Sequence, residues 1–121
     1  GWRAVDFPPT AKPLDDEWVV VNAHHLFGLC RKLGITHLIY AGFAINWCLL
    51  MSPGGMRDMS RHGILCSAIR QGVTAVESRE SIRGEKYKEE GLWRVAVGFG
   101  FVYDVDSLIR AVGTTGSAAK K

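Results

Sequence analysis

Thr36-His37-Leu38-Ile39-Tyr40-Ala41-Gly42-Phe43-Ala44-Ile45-Asn46-Trp47-Cys48-Leu49-Leu50 reads as a buried strand that stops abruptly and delivers a cysteine. The apolar run at residues 38–41 is too short for a helix, lies between Gly34 and Gly42, and follows an amphipathic helical pattern. That combination favours a strand of a parallel sheet. In open α/β sheets, binding and chemistry collect in the crevice beyond the strand carboxyl ends. A helix starting at Trp47 or Cys48 would leave the thiol beside unpaired backbone N–H groups, which favour thiolate over thiol.

Upstream of this stretch, Leu26, Leu29, Cys30 and Leu33 recur at spacings of three and four, which predicts a helix over residues 23–33 stopped by Gly34. Residues 18–21, Trp-Val-Val-Val, predict a strand before it, and Asp15-Asp16-Glu17 a polar turn. Pro8, Pro9 and Pro13 deny residues 1–14 a central strand and leave an extended arm. Trp2 and Phe7 on that arm need a surface to cover, and a subunit contact is the expected one.

Downstream, Pro53-Gly54-Gly55 breaks helical propensity, so the helix holding the thiol is short or kinked before Met56. Residues 64–69 read as a strand, and residues 72–76 as a connection or a further strand piece. The charge-dense residues 77–90 cover a solvated surface before a helix that turns Leu92, Val95 and Ala96 inward. Gly98 and Gly100 end it, residues 101–105 form a strand, and Asp106 is placed to cap a last turn over residues 107–112. Residues 114–121 are small and polar and read as a flexible tail.

The chain has 121 residues, 47% of them hydrophobic, with a net charge of +3 and mixed charges throughout. It is long enough for one domain with a thin core, expected over residues 15–113. Its Lys and Arg residues are scattered among acids and form no stripe, so nucleic-acid binding is not expected. The longest apolar stretch falls short of a membrane span, and no export signal or membrane anchor is expected. Cys30, Cys48 and Cys66 are odd in number and lack a Cys-x-x-Cys pair, which suits a reducing cytoplasm. Cys30 and Cys66 read as small buried hydrophobes. His24 and His25 are adjacent and point in different directions on a helix, with no third ligand at helical spacing, so no metal and no cofactor is expected.

Gly42-Phe43-Ala44-Ile45-Asn46-Trp47-Cys48-Leu49 resembles the nucleophile turn of the isochorismatase-like cysteine hydrolases, in which a strand ends in Gly-Val/Phe-Ala-Thr-Asn/Asp-x-Cys-Val/Ile. Residues 15–21 and the helix leading to Gly34-Ile35 are similar to the preceding strand and helix of that family. Arg70-Gln71-Gly72-Val73-Thr74-Ala75-Val76-Glu77 resembles its Arg-Asp-Ala-Thr-Thr-Ala-x-Glu. The resemblance implies a three-layer α/β sandwich with a mainly parallel sheet flanked by helices, here lacking the family's first strand region. It implies hydrolysis of a small amide, urea-like or related substrate, with Cys48 as nucleophile. It also implies a non-proline cis peptide at Phe43–Ala44 that aims backbone donors near Trp47 and Cys48 at an oxyanion, and a homo-oligomer as the assembly. Asn46 and Trp47 are expected at the pocket mouth, although each has an equally good use in capping or packing the helix start.

Three departures stand beside the match. Only Asp6 occupies a setting similar to that of the family's Asp base. Asn22 stands where the pattern carries a Lys, and Gln71 where it carries an Asp. A thiol without its acid and base lacks the proton that amide hydrolysis must deliver to the leaving group. A noncatalytic relative, retaining a small-molecule pocket or an oligomer-forming surface, is therefore the alternative.

Overall fold

The computed structural model describes residues 6–119. Helix α1 spans Ala23–Leu33. Asn22 caps it, its Oδ1 accepting the His25 N–H at 2.8 Å, a device worth about 1 kcal/mol. Gly34 ends it with φ 69°, and Ile35 N–H donates to Cys30 O at 2.8 Å. This left-handed stop is where a side chain would be strained. Leu26, Phe27 and Cys30 face the core, whereas Leu33, expected inward, is exposed.

Strand β1 is His37–Phe43 and β2 is Leu65–Thr74. Between them lie α2, Cys48–Met51, and α3, Met56–Arg61, separated by the break that Pro53-Gly54-Gly55 predicts. Then follow α4, Lys86–Gly98, the two-residue β3, Val102–Tyr103, and α5, Val105–Ala119. The three strands are parallel in the order β1-β2-β3.

Residues 64–69 and 72–76 thus belong largely to one strand. Its register slips between Tyr40↔Ala68 and Gly42↔Val73, a bulge that loads extra residues onto β2 opposite Ala41. Gly72 sits in it because a Cβ there would meet Ile69 Cβ at 3.3 Å and Ala41 Cβ at 3.5 Å.

Residues paired across the ladder share a face. Leu38↔Cys66 and Tyr40↔Ala68 lie in the core with Cys30 of α1, Met56 and Met59 of α3, and Leu92 and Val95 of α4. These helices all pack into this one core; α3 and α4 belong to the β1–β2 and β2–β3 crossovers, which run in one direction along the sheet and so are expected on the same side of it. The opposite face carries Ile39 and Leu65, both exposed, so the third layer of the expected sandwich does not cover them among the described residues. Helix α5 touches the sheet mainly at β2.

Four other expectations are corrected. Residues 18–21 form no strand. Their β-propensity finds no partner edge, and Trp18, Val19 and Val21 are exposed. Asp104, not Asp106, caps α5, its Oδ1 accepting Asp106 N–H at 3.0 Å and Ser107 N–H at 3.3 Å. That helix then runs well past Val112 to Ala119, taking in most of the segment read as a tail. Ala96 is exposed on α4. Trp2 lies outside the described residues, and Phe7 shares a groove with Trp18 and Val19. No helix among the described residues is long and apolar enough to cross a membrane.

Candidate functional site

At the carboxyl end of β1 the chain bends sharply through Ala44-Ile45-Asn46-Trp47. The Phe43–Ala44 peptide is cis, at the bond for which the family resemblance implied it. Ala44 and Ile45 are fully buried. Burial of a side chain the size of Ile45 contributes roughly 1.5–3 kcal/mol, which anchors the bend in the core. Ala44 O accepts two N–H groups, from Trp47 at 3.1 Å and Leu49 at 3.0 Å, and Ile45 N–H reaches back to Thr74 O at 2.8 Å.

Asn46 fastens the bend to the segment after β2. Its Oδ1 accepts Val76 N–H at 2.9 Å and its Nδ2 donates to Val76 O at 3.0 Å. The side chain imitates one rung of a ladder. The side chain makes no capping bond at the start of α2, the structural use expected for Asn46; it latches the bend to Val76 instead, and the residue also lines a cavity beside the bend.

Cys48 is the first residue of α2 and is exposed. The Trp47, Leu49 and Leu50 N–H groups are all consumed within the turn, by Ala44 O and Trp47 O. Among the described residues no acceptor takes the Cys48 N–H, so of the two donors expected near Trp47 and Cys48 it is the one left unpaired. Phe43 and Trp47 are exposed on either side of the turn. Cys30 and Cys66 are buried, as the sequence indicates, and all three cysteines are free. Burial raises the Cys66 and Cys30 thiols above their ordinary range, where they are poor nucleophiles.

No family model matches this chain, and comparison with the curated proteins and with the solved structures finds no match in either.

The remaining candidates fall elsewhere. Asp6 is exposed. It pairs with Lys12 at 3.7 Å and accepts Phe7 N–H at 2.8 Å, so its polar partners belong to its own arm. Asn22 is committed to capping α1. Gln71 ties β2 to α5, donating to Asp104 Oδ2 at 2.7 Å and accepting Val105 N–H at 2.9 Å. Among the described residues no three His, Cys, Asp or Glu side chains come together to hold a metal ion.

Sequence reading placed Asn46 and Trp47 at a pocket mouth but missed the wall of α4 that faces them across a groove beside the bend. A cavity of about 550 Å³ is lined by Asn46, Trp47 and Met51 on one side and by Tyr87, Glu90, Gly91 and Arg94 on the other. Cys48 is not part of its lining. Gly91 lets α4 approach so closely, since a Cβ there would meet Ile45 Cγ2 at 3.0 Å. A glycine inside an otherwise helical pattern was the available signal.

Glu77 organises the far wall. Burial acts to raise its carboxyl, but hydrogen bonds from the Ser81 hydroxyl and the Lys88 and Tyr87 N–H groups outweigh it and hold the group below the usual carboxylate range. The start of α4 is thereby capped by a residue remote from it in sequence.

Proposed function

We propose that this chain is an isochorismatase-like cysteine hydrolase acting on a small amide, urea-like or related substrate, with Cys48 as nucleophile. One observation carries the reading: an exposed thiol stands at the first residue after the β1 bend with its own N–H unpaired. The motif over residues 42–49 supports it.

In this reaction the Cys48 sulfur adds to the carbonyl carbon, and the electron pair of the carbonyl moves to oxygen, where the Cys48 N–H accompanies it. Collapse breaks the C–N bond, the nitrogen takes up a proton, and water then releases the acyl group as the acid and restores the thiol. Asp6 is assigned the proton transfers. This role requires the arm to exchange its Lys12 pairing for the thiol. The same reading makes a small molecule the ligand, a homo-oligomer the assembly and the cytoplasm, where free thiols persist, the location.

The commitment of Asn22 and Gln71 to structural hydrogen bonds favours a second reading, a noncatalytic relative that binds without turnover. Alkylation and hydrolysis separate the two. The hydrolase reading expects Cys48 to alkylate faster at neutral pH than the thiols of the unfolded chain. It also expects product formation from a panel of small amides and ureas to vanish in Cys48→Ala. Alkylation no faster than in the unfolded chain, with no turnover in the parent, would overturn it and leave the binding module.

A further inference from the structure

Helix α1 carries no acidic residue, and Gly28 stands in the middle of it. A glycine inside a helix costs about 1 kcal/mol against alanine, and no close neighbour requires one here: a Cβ at residue 28 would meet no atom within 4 Å. What a side chain there would do is fill a cavity of about 420 Å³ on the outer surface of the helix. His24, Gly28 and Lys32, four residues apart in succession, run along its floor. Residues 18–20, the strand-like segment that pairs with no sheet edge, supply the facing wall. Trp18 is 63% exposed and Val19 57% exposed, so this segment holds apolar surface open to solvent along the helix.

The charge on this cavity has one sign. Among the described residues no carboxylate pairs with Lys32, whose ammonium lies 5.9 Å from the centre of the Trp18 ring. His24 and His25 stand at the other end, and no Asp or Glu lines the cavity.

We propose that this cavity binds a free straight-chain monocarboxylate, with its carboxylate at Lys32 and its alkyl chain along Trp18, Val20 and Leu29 toward His24. Each part of the ligand answers a feature of the site. One permanent cation without an acidic partner selects a monoanion. The run from residue 24 to residue 32 along the helix is roughly 12 Å, which suits an extended chain, and the apolar wall selects hydrocarbon over a polar body. None of these residues belongs to the β1 bend, so the proposal stands apart from the chemistry of Cys48.

Nitrogen-15 NMR titration of the full chain with sodium decanoate, kept below micelle formation, tests it. Saturating shifts are expected at the Trp18, Gly28, Leu29 and Lys32 amides, with a Kd of about 1 mM or tighter. Each methylene added between hexanoate and decanoate should tighten binding roughly two- to fourfold. Lys32→Gln should weaken it about fivefold or more, and Lys32→Arg should retain it. Decyltrimethylammonium keeps the chain and reverses the charge, whereas inorganic phosphate keeps negative charge and drops the chain; both should leave these amides unmoved at the same concentration. Gly28→Leu puts a better helix former at an open position, so it should match or exceed the parent in stability while losing the site. Shifts that do not saturate by about 10 mM, binding that survives Gly28→Leu in a folded chain, indifference to Lys32→Gln, or association with phosphatidylserine vesicles but not with free decanoate would overturn the proposal. Should Gly28→Leu fail to fold, the Lys32 variants and the two control ligands still decide it.

Discussion

Ser67 Oγ lies 2.6 Å from His37 Nε2 and also accepts the Phe101 N–H at 2.8 Å, so one buried hydroxyl joins β1, β2 and the entry to β3. Gly100 is required for this approach, because a Cβ there would stand 2.7 Å from that oxygen. With the oxygen accepting from a fixed backbone donor, the hydroxyl hydrogen is free to point at His37. Ser67→Ala leaves the Phe101 N–H without its acceptor. It is expected to cost about 1–3 kcal/mol, read as a lower urea midpoint at unchanged slope. No loss of stability would mean that the three strands do not depend on this hydroxyl.

Asn46→Asp tests the latch on the Cys48 bend. The variant keeps an acceptor for Val76 N–H but replaces the Nδ2 donor with a charged oxygen facing Val76 O. Loss of about 1–2 kcal/mol and faster hydrogen exchange at the Val76 amide are the expected results. If Asn46 acted only on a ligand, exchange at Val76 would be unaltered.

Glu77 gives the acid limb of stability a specific origin. Its carboxyl is held below the ordinary range in the folded chain, so its contribution is fully present above the unfolded-chain value, about pH 4.3. It is lost as pH falls through the lower folded value. Glu77→Gln should therefore be less stable than the parent at neutral pH, with the difference shrinking as both are acidified. Asp104, lowered by the Gln71 side chain and the Ser107 and Asp106 N–H groups, keeps a residual slope in both proteins. Parallel curves down to about pH 3 would show that the Glu77 cap carries no pH-dependent stability.

The strand β1, its abrupt end and the break after α2 were legible because local signals agree there: an apolar run between glycines, then Pro53-Gly54-Gly55. The burial of Cys30 and Cys66 was legible from periodicity for the same reason. Residues 18–21 misled because Trp-Val-Val-Val satisfies every local preference of a strand, whereas pairing depends on an edge elsewhere in the fold. The Glu77 cap and the groove at Gly91 join segments brought together only by tertiary packing. Asp104 was passed over for Asp106, two candidates that composition does not distinguish and backbone direction does.

The unequal exposure of the three cysteines yields the most direct check on the site. Cys48 is exposed, whereas Cys30 and Cys66 are buried, and the Cys66 thiol donates to Ile64 O at 3.4 Å inside the core. A small alkylating reagent on the native protein should add one equivalent, at Cys48, and all three cysteines of the sequence should react only in denaturant. Intact mass and peptide mapping read both numbers. Because the side chain is outside the core, Cys48→Ser should match the parent in stability to within about 0.5 kcal/mol while losing the single native adduct. Rapid native labelling at Cys66 would mean that the sheet opens on the reagent's timescale and that the bend is not the protein's distinctive thiol environment. Labelling confined to Cys48, in a variant series where only that substitution abolishes turnover, would tie the reactive sulfur to the chemistry proposed for it.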